Sequence, residues 1–402
     1  MPKSAPGSPL GQLASHPASG GTSRRGFLRS AMLASAAFAP GLGPLLLRGQ
    51  SAFSRPAGTF LGLVHFEDEH VAPGNVPLGQ ELDRRLFTDL SSISSAQAVT
   101  APADYYIRTG ASALLPAADG WRIQLDGASP ATAAALAHRA RPMGTHLMEC
   151  VGNVRLTRFG LISVGSWTGV PIGDILGELK SLSGSPWVQV DGFDDYQSES
   201  SSSIPGASWI FRADELRASG AFLATALDGR PLTRDHGAPV RLIVPGLYGC
   251  SCIKWVNRIA TVPDGAETTS QMKEYAGRTL QFGTPATVND YASPIVEAAA
   301  MPIRVEQWRV AGKIEYRILG LAWGGTSPIR DLRIRFSLNE DYVPVDSFHQ
   351  TFTDPWTLWS HRWRPAAPGP YAIGLSIADP GVRARRMGLG LYVRAIQINE
   401  AG

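Results

Sequence analysis

The last hundred or so residues alternate between apolar and polar side chains more strictly than the rest of the chain. Residues 332–338 and 371–377 are runs of period two. Successive side chains of a β-strand point to opposite faces, so such runs fit strands with one buried face. Runs of this kind, separated by Gly and Pro, predict a β-sandwich over residues 296–402.

Residues 56–295 mix strand and helix signals instead. Residues 121–127 alternate and end on a turn signal, and residues 240–244 form a short apolar run closed by Pro and Gly. Residues 131–140 are rich in Ala and predict a helix, as does the stretch 170–176 with Pro near its first turn. The strands and helices do not alternate regularly, so the pattern predicts an α+β fold rather than a doubly wound sheet.

Residues 1–55 are predicted to be an export signal and linker. Paired arginines in residues 23–29 precede an apolar, Ala-rich stretch, 30–47, that Pro40 and Pro44 interrupt. A basic region followed by an apolar region is typical of a signal peptide, and Arg-Arg-x-Phe-Leu-Arg resembles the twin-arginine type. Such a leader predicts a periplasmic or otherwise exported protein that folds, often with its cofactor, before export.

The basic excess of the chain belongs to this leader. The formal net charge is +3, but residues 1–55 contain six Lys and Arg and no Asp or Glu, which leaves 31 basic against 34 acidic residues beyond them. A nucleic-acid-binding domain needs a basic surface. The composition therefore argues against a nucleic-acid partner.

Three cysteines, Cys150, Cys250 and Cys252, are too few for a disulfide framework. Cys250 and Cys252 share one face if they lie on a strand. Arg155 and Arg158 follow Cys150 closely, and nearby cations favour the thiolate that soft metals bind. By itself this pattern leaves open either a buried structural cysteine or a metal ligand.

Cys150 opens a Cys-Val-Gly-Asn-x-Arg motif, and further motifs follow it over about a hundred residues. They are Trp-Thr-Gly-Val-Pro at 167–171, Asp194, Thr-Arg-Asp-His-Gly-Ala-Pro-Val-Arg at 233–241, Val-Pro-Gly at 244–246 and Lys-Trp at 254–255. In this order and spacing, the series resembles the molybdopterin domain of the sulfite oxidase family.

The resemblance implies a molybdenum–molybdopterin cofactor and a role for each matching residue. Cys150 would be the protein ligand to molybdenum. Arg108 and Arg155 would form the cationic catalytic pocket, and the pterin and its phosphate would be bound by Asp194, His236, Arg241 and Lys254. Arg and Lys suit a phosphate because they bind it through charge-assisted hydrogen bonds.

The C-terminal segment resembles the immunoglobulin-like domain that follows the molybdopterin domain in this family. The matching pieces lie at residues 320–325 and 356–359, and their tryptophans are expected in the core. The resemblance implies a homodimer formed through this domain. The sequence has no Cys-x-x-Cys-His haem motif, so we expect a separate electron carrier, such as a periplasmic cytochrome.

One departure from the family lies near the expected substrate pocket. Sulfite-oxidising members place a tyrosine before Gly-Ala-Ser, whereas Pro205 stands there in this chain. The hydrogen-bonding role of that hydroxyl is vacant in this chain unless Tyr105, Tyr106 or Tyr196 takes it.

The expected function is two-electron oxygen-atom transfer at a small sulfur-containing or similar oxyanion. A reductase of sulfoxides or other S- or N-oxides and a non-catalytic cofactor-binding protein are the alternatives. A cysteine hydrolase would need a base such as His146 held against Cys150, but the run around His146 has the pattern of a strand.

Overall fold

The computed structural model describes residues 57–69, 73–95, 97–179, 185–200 and 203–402. The predicted leader, residues 1–55, lies outside these ranges. Within them, no helix combines the length and the apolar character needed to cross a membrane.

Strands dominate the described residues, and the α-helices among them are short. The strands are β1 (Thr59–Val64), β2 (Arg122–Leu125), β3 (Ala131–Thr132), β4 (Arg141–Glu149), β5 (Ile162–Pro171), β6 (Trp187–Gly192), β7 (Ser208–Arg212), β8 (Phe222–Leu227), β9 (Arg230–Pro231), β10 (Arg241–Ile243), β11 (Val256–Val262), β12 (Ala299–Val310), β13 (Lys313–Trp323), β14 (Leu332–Arg335), β15 (Val343–Pro344), β16 (Trp356–Trp363), β17 (Gly369–Ile377) and β18 (Arg394–Ile398). The helices are α1 (Ala133–Arg139), α2 (Ile172–Leu176), α3 (Ala213–Ala218), α4 (Ser270–Tyr275) and α5 (Arg385–Gly388).

Two sheets build the part of the molecule that carries Cys150. One has the order β10-β8-β5-β4, with β9 paired to β8, and all its pairs are antiparallel. The other has the order β3-β2-β11-β6-β7, in which β2 and β11 run parallel. Together with the interspersed helices, these sheets make the α+β fold that the sequence predicted.

The predicted helix at residues 131–140 is shorter than expected. Ala131 and Thr132 pair with β2, and the Thr132 hydroxyl caps α1 by accepting a hydrogen bond from Ala135 N at 3.1 Å. Threonine satisfies a free backbone N–H at a helix start. The Ala-rich composition therefore predicted the helix but not the two-residue strand β3 before it.

Two antiparallel sheets build the C-terminal part, with the orders β1-β12-β13-β16 and β15-β14-β17-β18. The tryptophans expected in the core, Trp323, Trp356 and Trp359, are at most 2% exposed. The strand β1 belongs to the predicted segment 56–295 by sequence. In the structure it pairs antiparallel with β12 of the C-terminal part and not with the sheets around Cys150. Residues from the start of the described chain thus complete the C-terminal sheet.

Candidate cofactor site around Cys150

Cys150 directly follows β4 and opens the loop of residues 150–161 that leads to β5. Its backbone N–H donates to Leu161 O at 2.9 Å, and Asn153 N donates back to Cys150 O at 2.9 Å. The Asn153 side-chain oxygen accepts from Leu161 N at 3.0 Å. These bonds fix the thiol in place, with the side chain 4% exposed.

The protein surroundings of Cys150 only partly stabilise a thiolate. Burial raises the pKa of Cys150, whereas the Arg108 guanidinium and the Gly152 N–H, which lies 3.4 Å from Sγ, lower it. The raising effect dominates. A bound cation would lower the thiol pKa further, because metals bind cysteine as the thiolate.

Arg85 and Arg108 converge on one hydroxyl group. Both guanidinium groups donate to Ser203 Oγ, at 3.0 and 2.9 Å. They meet because Leu86 and Ile107 form an antiparallel backbone bridge, which places the flanking arginines side by side. Burial and the neighbouring Arg108 lower the pKa of Arg85 to about 10. Two guanidinium groups this close favour an anion between them.

Lys254 and Arg241 extend this positive region. Lys254 Nζ donates to the carbonyl oxygens of Thr109 and Asp235, and burial, with Arg241 nearby, lowers its pKa well below the usual range. Arg241 is 5% exposed and donates to Met148 Sδ at 2.9 Å. Among the described residues, its Nε has no hydrogen-bond partner. Such surplus buried donors suit a negatively charged ligand.

His236 and Asp194 are used within the protein itself. His236 Nε2 lies 2.9 Å from Tyr105 O and Nδ1 lies 2.9 Å from the Thr233 hydroxyl. A carbonyl oxygen only accepts, so Nε2 carries a proton. Burial lowers the pKa of His236 to about 4. Asp194 accepts hydrogen bonds from the backbone of Gly206 and Ala207. Their contact with a pterin stays a prediction.

Arg155 does not join the cluster of Arg85, Arg108, Arg241 and Lys254. It lies on the short 3-10 helix Arg155–Thr157, its side chain is exposed, and its Nη2 donates to Val393 O at 3.1 Å. This contact links the Cys150 loop to the C-terminal part. The catalytic role of Arg155 stays a prediction.

Three residues near Cys150 in sequence or in space differ from what the sequence indicated. Cys250 lies on the 3-10 helix Gly249–Ser251, so the strand geometry considered for Cys250 and Cys252 does not apply. His146 lies on β4, and its ring nitrogen Nε2 contacts Met143 O at 2.8 Å. Arg85 had no motif to mark it, and only the Leu86–Ile107 bridge reveals it.

The three tyrosines considered for the role of the family hydroxyl differ in their surroundings. Tyr105 is completely buried. Burial raises the pKa of Tyr196, and the nearby carboxylates of Asp194 and Glu81 raise it further. Tyr106 is the one whose pKa is raised by burial and then by Cys150. Its hydroxyl lies 2.4 Å from the point that a Cβ on Gly249 would occupy. Only glycine leaves space there for this hydroxyl.

Comparison with known families decides what kind of domain surrounds Cys150. A family described as the oxidoreductase molybdopterin binding domain matches residues 112–269. Residues 112–269 are therefore similar to a molybdopterin-binding oxidoreductase domain. The matched segment of this molybdopterin domain includes Cys150, Arg155, Asp194, His236, Arg241 and Lys254, whereas Arg108 lies just before it.

Sequence relatives place this molybdopterin domain near sulfite oxidases. Mitochondrial sulfite oxidase of Homo sapiens is 28% identical over an alignment of 253 residues that covers 56% of this chain and 44% of the relative. The chain therefore matches less than half the length of that relative. The catalytic subunit MsrP of a protein-methionine-sulfoxide reductase of Xanthomonas campestris is 35% identical over 106 residues, 25% of this chain and 33% of the relative.

A solved structure extends the similarity of fold beyond this domain. A chain of the sulfane dehydrogenase SoxCD from Paracoccus pantotrophus matches with a TM-score of 0.59 at 17% identity, over 90% of this chain and 100% of that one. At this identity the match shows a shared fold. It includes the sulfite-oxidase-type molybdopterin fold that the sequence predicted.

The residues around Cys150 fit the molybdenum–molybdopterin cofactor that this domain type implies. Cys150 offers a single buried thiol as a ligand for a soft metal. Arg241, with its unpartnered Nε, and Lys254 offer donors for the anionic phosphate of the pterin.

Proposed function

We propose that this protein is an exported molybdenum oxidoreductase that transfers an oxygen atom at a small sulfur-containing oxyanion. The observation that carries the proposal is the buried Cys150 thiol beside a cluster of cations with spare donors. When bound, the molybdenum–pterin group supplies two-electron redox chemistry and an exchangeable oxygen atom.

In this proposal, the side chains of the protein bind and orient the reactants. Arg108 binds the oxygens of the substrate, with Arg85 reinforcing the positive potential through their shared Ser203 hydroxyl. Oxidation of sulfite to sulfate takes an oxygen atom from water and releases two protons and two electrons. A separate carrier such as a periplasmic cytochrome accepts these electrons.

Reduction of sulfoxides is the second candidate. Pro205 is exposed and provides no hydroxyl at the position where sulfite-oxidising members carry a tyrosine. The 35% identity to the sulfoxide reductase subunit MsrP supports the same alternative. Reduction of a sulfoxide to the sulfide consumes two electrons and two protons and releases water.

Export, assembly and the C-terminal fold are further parts of the proposal. The twin-arginine motif in residues 1–55 supports export to the periplasm. The two antiparallel sheets of the C-terminal part support an immunoglobulin-like domain, and through it a homodimer.

Elemental analysis of the matured protein tests the proposal. Wild-type protein should contain stoichiometric molybdenum and pterin, and Cys150→Ser should lose the metal. Cys252→Ser is the matched control, because Cys252 is equally buried and its Sγ accepts from Val244 N at 3.4 Å. This variant should keep the metal.

Two results would contradict the proposal. Metal-free, pterin-free wild-type protein points to a non-catalytic role, and full metal in Cys150→Ser removes Cys150 from the coordination sphere. A dye-linked assay with sulfite, sulfoxides and N-oxides then separates oxidation from reduction.

A further inference from the structure

Ser203 carries the hydroxyl group that both Arg85 and Arg108 contact. Its Oγ accepts a hydrogen bond from Arg85 Nη2 at 3.0 Å and another from Arg108 Nη1 at 2.9 Å. A serine hydroxyl has two lone pairs and one proton. The two guanidinium groups use both lone pairs, so the proton points away from them and is available to a third group.

Two carboxylates of a short 3-10 helix help to fix Ser203 in this position. Asp83 Oδ1 accepts from the Ser200 hydroxyl at 2.6 Å, and Ser200 Oγ in turn accepts from Ser203 N at 2.9 Å. Glu81 Oε2 accepts from Ser198 N at 3.0 Å. The backbone at Ser203 is therefore held by its own contacts as well as by the arginines that reach its side chain.

The hydroxyl of Ser203 belongs to the site of Cys150. Burial raises the pKa of the Cys150 thiol and the charge of Arg108 lowers it. Burial lowers the pKa of Arg85, and the charge of Cys150 acts in the opposite direction. The two arginines that hold the hydroxyl thus lie within electrostatic reach of the thiol.

Ser203 also lies on the run in which the family hydroxyl is missing, two residues before Pro205. The tyrosines nearby have other surroundings. Among the described residues, the Tyr105 hydroxyl has no hydrogen-bond partner, and the Tyr106 hydroxyl lies against Gly249. Ser203 therefore combines the position along the chain with contacts to both arginines.

We propose that Ser203 donates a hydrogen bond to an oxygen of the substrate oxyanion and so takes the role that Pro205 leaves vacant. Arg85 and Arg108 orient the hydroxyl and polarise it, which strengthens the bond that it donates. The hydroxyl keeps its proton throughout, so Ser203 binds the oxyanion and transfers no proton. This inference rests on the proposed function.

Sulfate binding to the molybdenum-loaded protein tests this inference without turnover. In calorimetric titration, Ser203→Ala should bind sulfate about 10- to 100-fold more weakly than wild type, because a hydrogen bond to a charged group is lost. Ser203→Thr keeps a hydroxyl and should retain most of the affinity. Ser219→Ala is the matched control, since Ser219 is also half-buried and its hydroxyl donates to Leu216 O at 3.1 Å. This control should bind sulfate as wild type does.

A double-mutant cycle shows whether Arg85 acts through this hydroxyl. Arg85→Gln alone should weaken sulfate binding, because it removes a charge and the polarisation of Ser203. When Arg85→Gln and Ser203→Ala are combined, the loss of affinity should be smaller than the product of the two separate losses, since both changes affect the same bond. Separate losses that multiply in full would contradict this coupling.

Steady-state kinetics give an independent readout. Ser203→Ala should raise KM for sulfite more than it lowers kcat. KM for dimethyl sulfoxide should rise less, because a hydrogen bond to a neutral oxygen contributes less than one to a charged oxygen.

Unchanged or tighter sulfate binding by Ser203→Ala, at equal molybdenum content, would overturn the inference. Ser203 would then only occupy the place of an anion oxygen between the arginines. Wild-type protein that binds no sulfate would overturn it as well. By contrast, wild-type protein whose sulfate binding depends on Ser203 but that oxidises no sulfur compound would contradict only the proposed function.

Discussion

The ionisable side chains near Cys150 owe their protonation states mainly to burial. Arg85 keeps its charge next to Arg108, although burial and that neighbour lower its pKa to about 10, and burial with Arg241 nearby lowers the pKa of Lys254 well below its usual range. Burial also lowers the pKa of His236, and here the result is a neutral ring. The neutral ring makes hydrogen bonds to Tyr105 O and to the Thr233 hydroxyl. The site thus combines charged guanidinium groups with a neutral imidazole whose hydrogen bonds link Tyr105 to Thr233.

Stability should fall in acid because of His236. Its pKa is about 4 in the folded protein, below the ordinary value of 6.5. Between these values the unfolded chain binds a proton that the folded chain does not. Stability is therefore lost as the pH falls from about 6.5 to about 4, by about 3 kcal/mol from this group.

Denaturant unfolding at pH 7.5 and 5 checks this expectation with His236→Gln. The variant should lack that part of the pH dependence, so its stability deficit should shrink in acid. Exposed His138 provides the control, and His138→Gln should follow the wild-type curve. Parallel curves for wild type and His236→Gln would contradict the assignment.

Sequence reasoning predicted residue types at this site better than it predicted their neighbours. The ordered motifs marked Cys150, Arg241 and Lys254, which the structure brings to one region. They could not mark Arg85, which becomes a neighbour of Arg108 only through backbone pairing between segments more than 20 residues apart. A local motif contains no information on such pairing.

At the scale of elements, β13 is constrained on both faces. All its residues after Lys313 are buried, so its alternating pattern describes two packed faces rather than one buried face and one solvated face. Gly320 lies opposite Trp359 on β16 in the pairing register. Trp359 is completely buried and donates to Leu321 O at 3.1 Å. Packing here depends on the absence of a side chain, which periodicity alone does not reveal.

Gly320→Ala should therefore destabilise the C-terminal part. A Cβ at Gly320 would lie 2.2 Å from the Trp359 ring and 2.4 Å from Met301 O. Overpacking of this kind typically costs about 1–3 kcal/mol. Gly173→Ala in α2 is the control, because the nearest atom to its Cβ is 3.9 Å away and Ala favours a helix by up to about 1 kcal/mol.

Thermal unfolding distinguishes the two glycine variants. The melting temperature should fall for Gly320→Ala and stay level or rise for Gly173→Ala. An unchanged melting temperature for Gly320→Ala would show that Trp359 moves at little cost.

At the scale of the whole molecule, the C-terminal part holds the residue that precedes Cys150. Glu149 is completely buried and accepts hydrogen bonds from Trp323 Nε1 at 2.9 Å and from the Tyr392 hydroxyl at 3.1 Å. Arg386 lies 3.4 Å from Glu149 and donates to Asn153 O at 2.7 Å. Residues on both sides of Cys150, Glu149 and Asn153, are therefore bonded to the C-terminal part of the fold. The sequence motifs predicted two separate domains but not this connection, because its partners are more than 170 residues apart.

Arg386→Met should weaken both the fold and the hold on the metal. Removing one partner of a buried ion pair costs about 3–5 kcal/mol, because the remaining charge stays buried. We expect a lower melting temperature and less bound molybdenum per chain, since the loop of Cys150 also loses its bond at Asn153. Arg385→Gln is the control: that side chain is 44% exposed and 3.9 Å from Glu297, so its loss should cost at most about 1 kcal/mol.

Adding Glu149→Gln to Arg386→Met removes the stranded charge and should recover part of the stability. If the double variant is no more stable than Arg386→Met, the buried charge of Glu149 is not the source of the loss, and the bond from Arg386 to Asn153 is what joins the two parts.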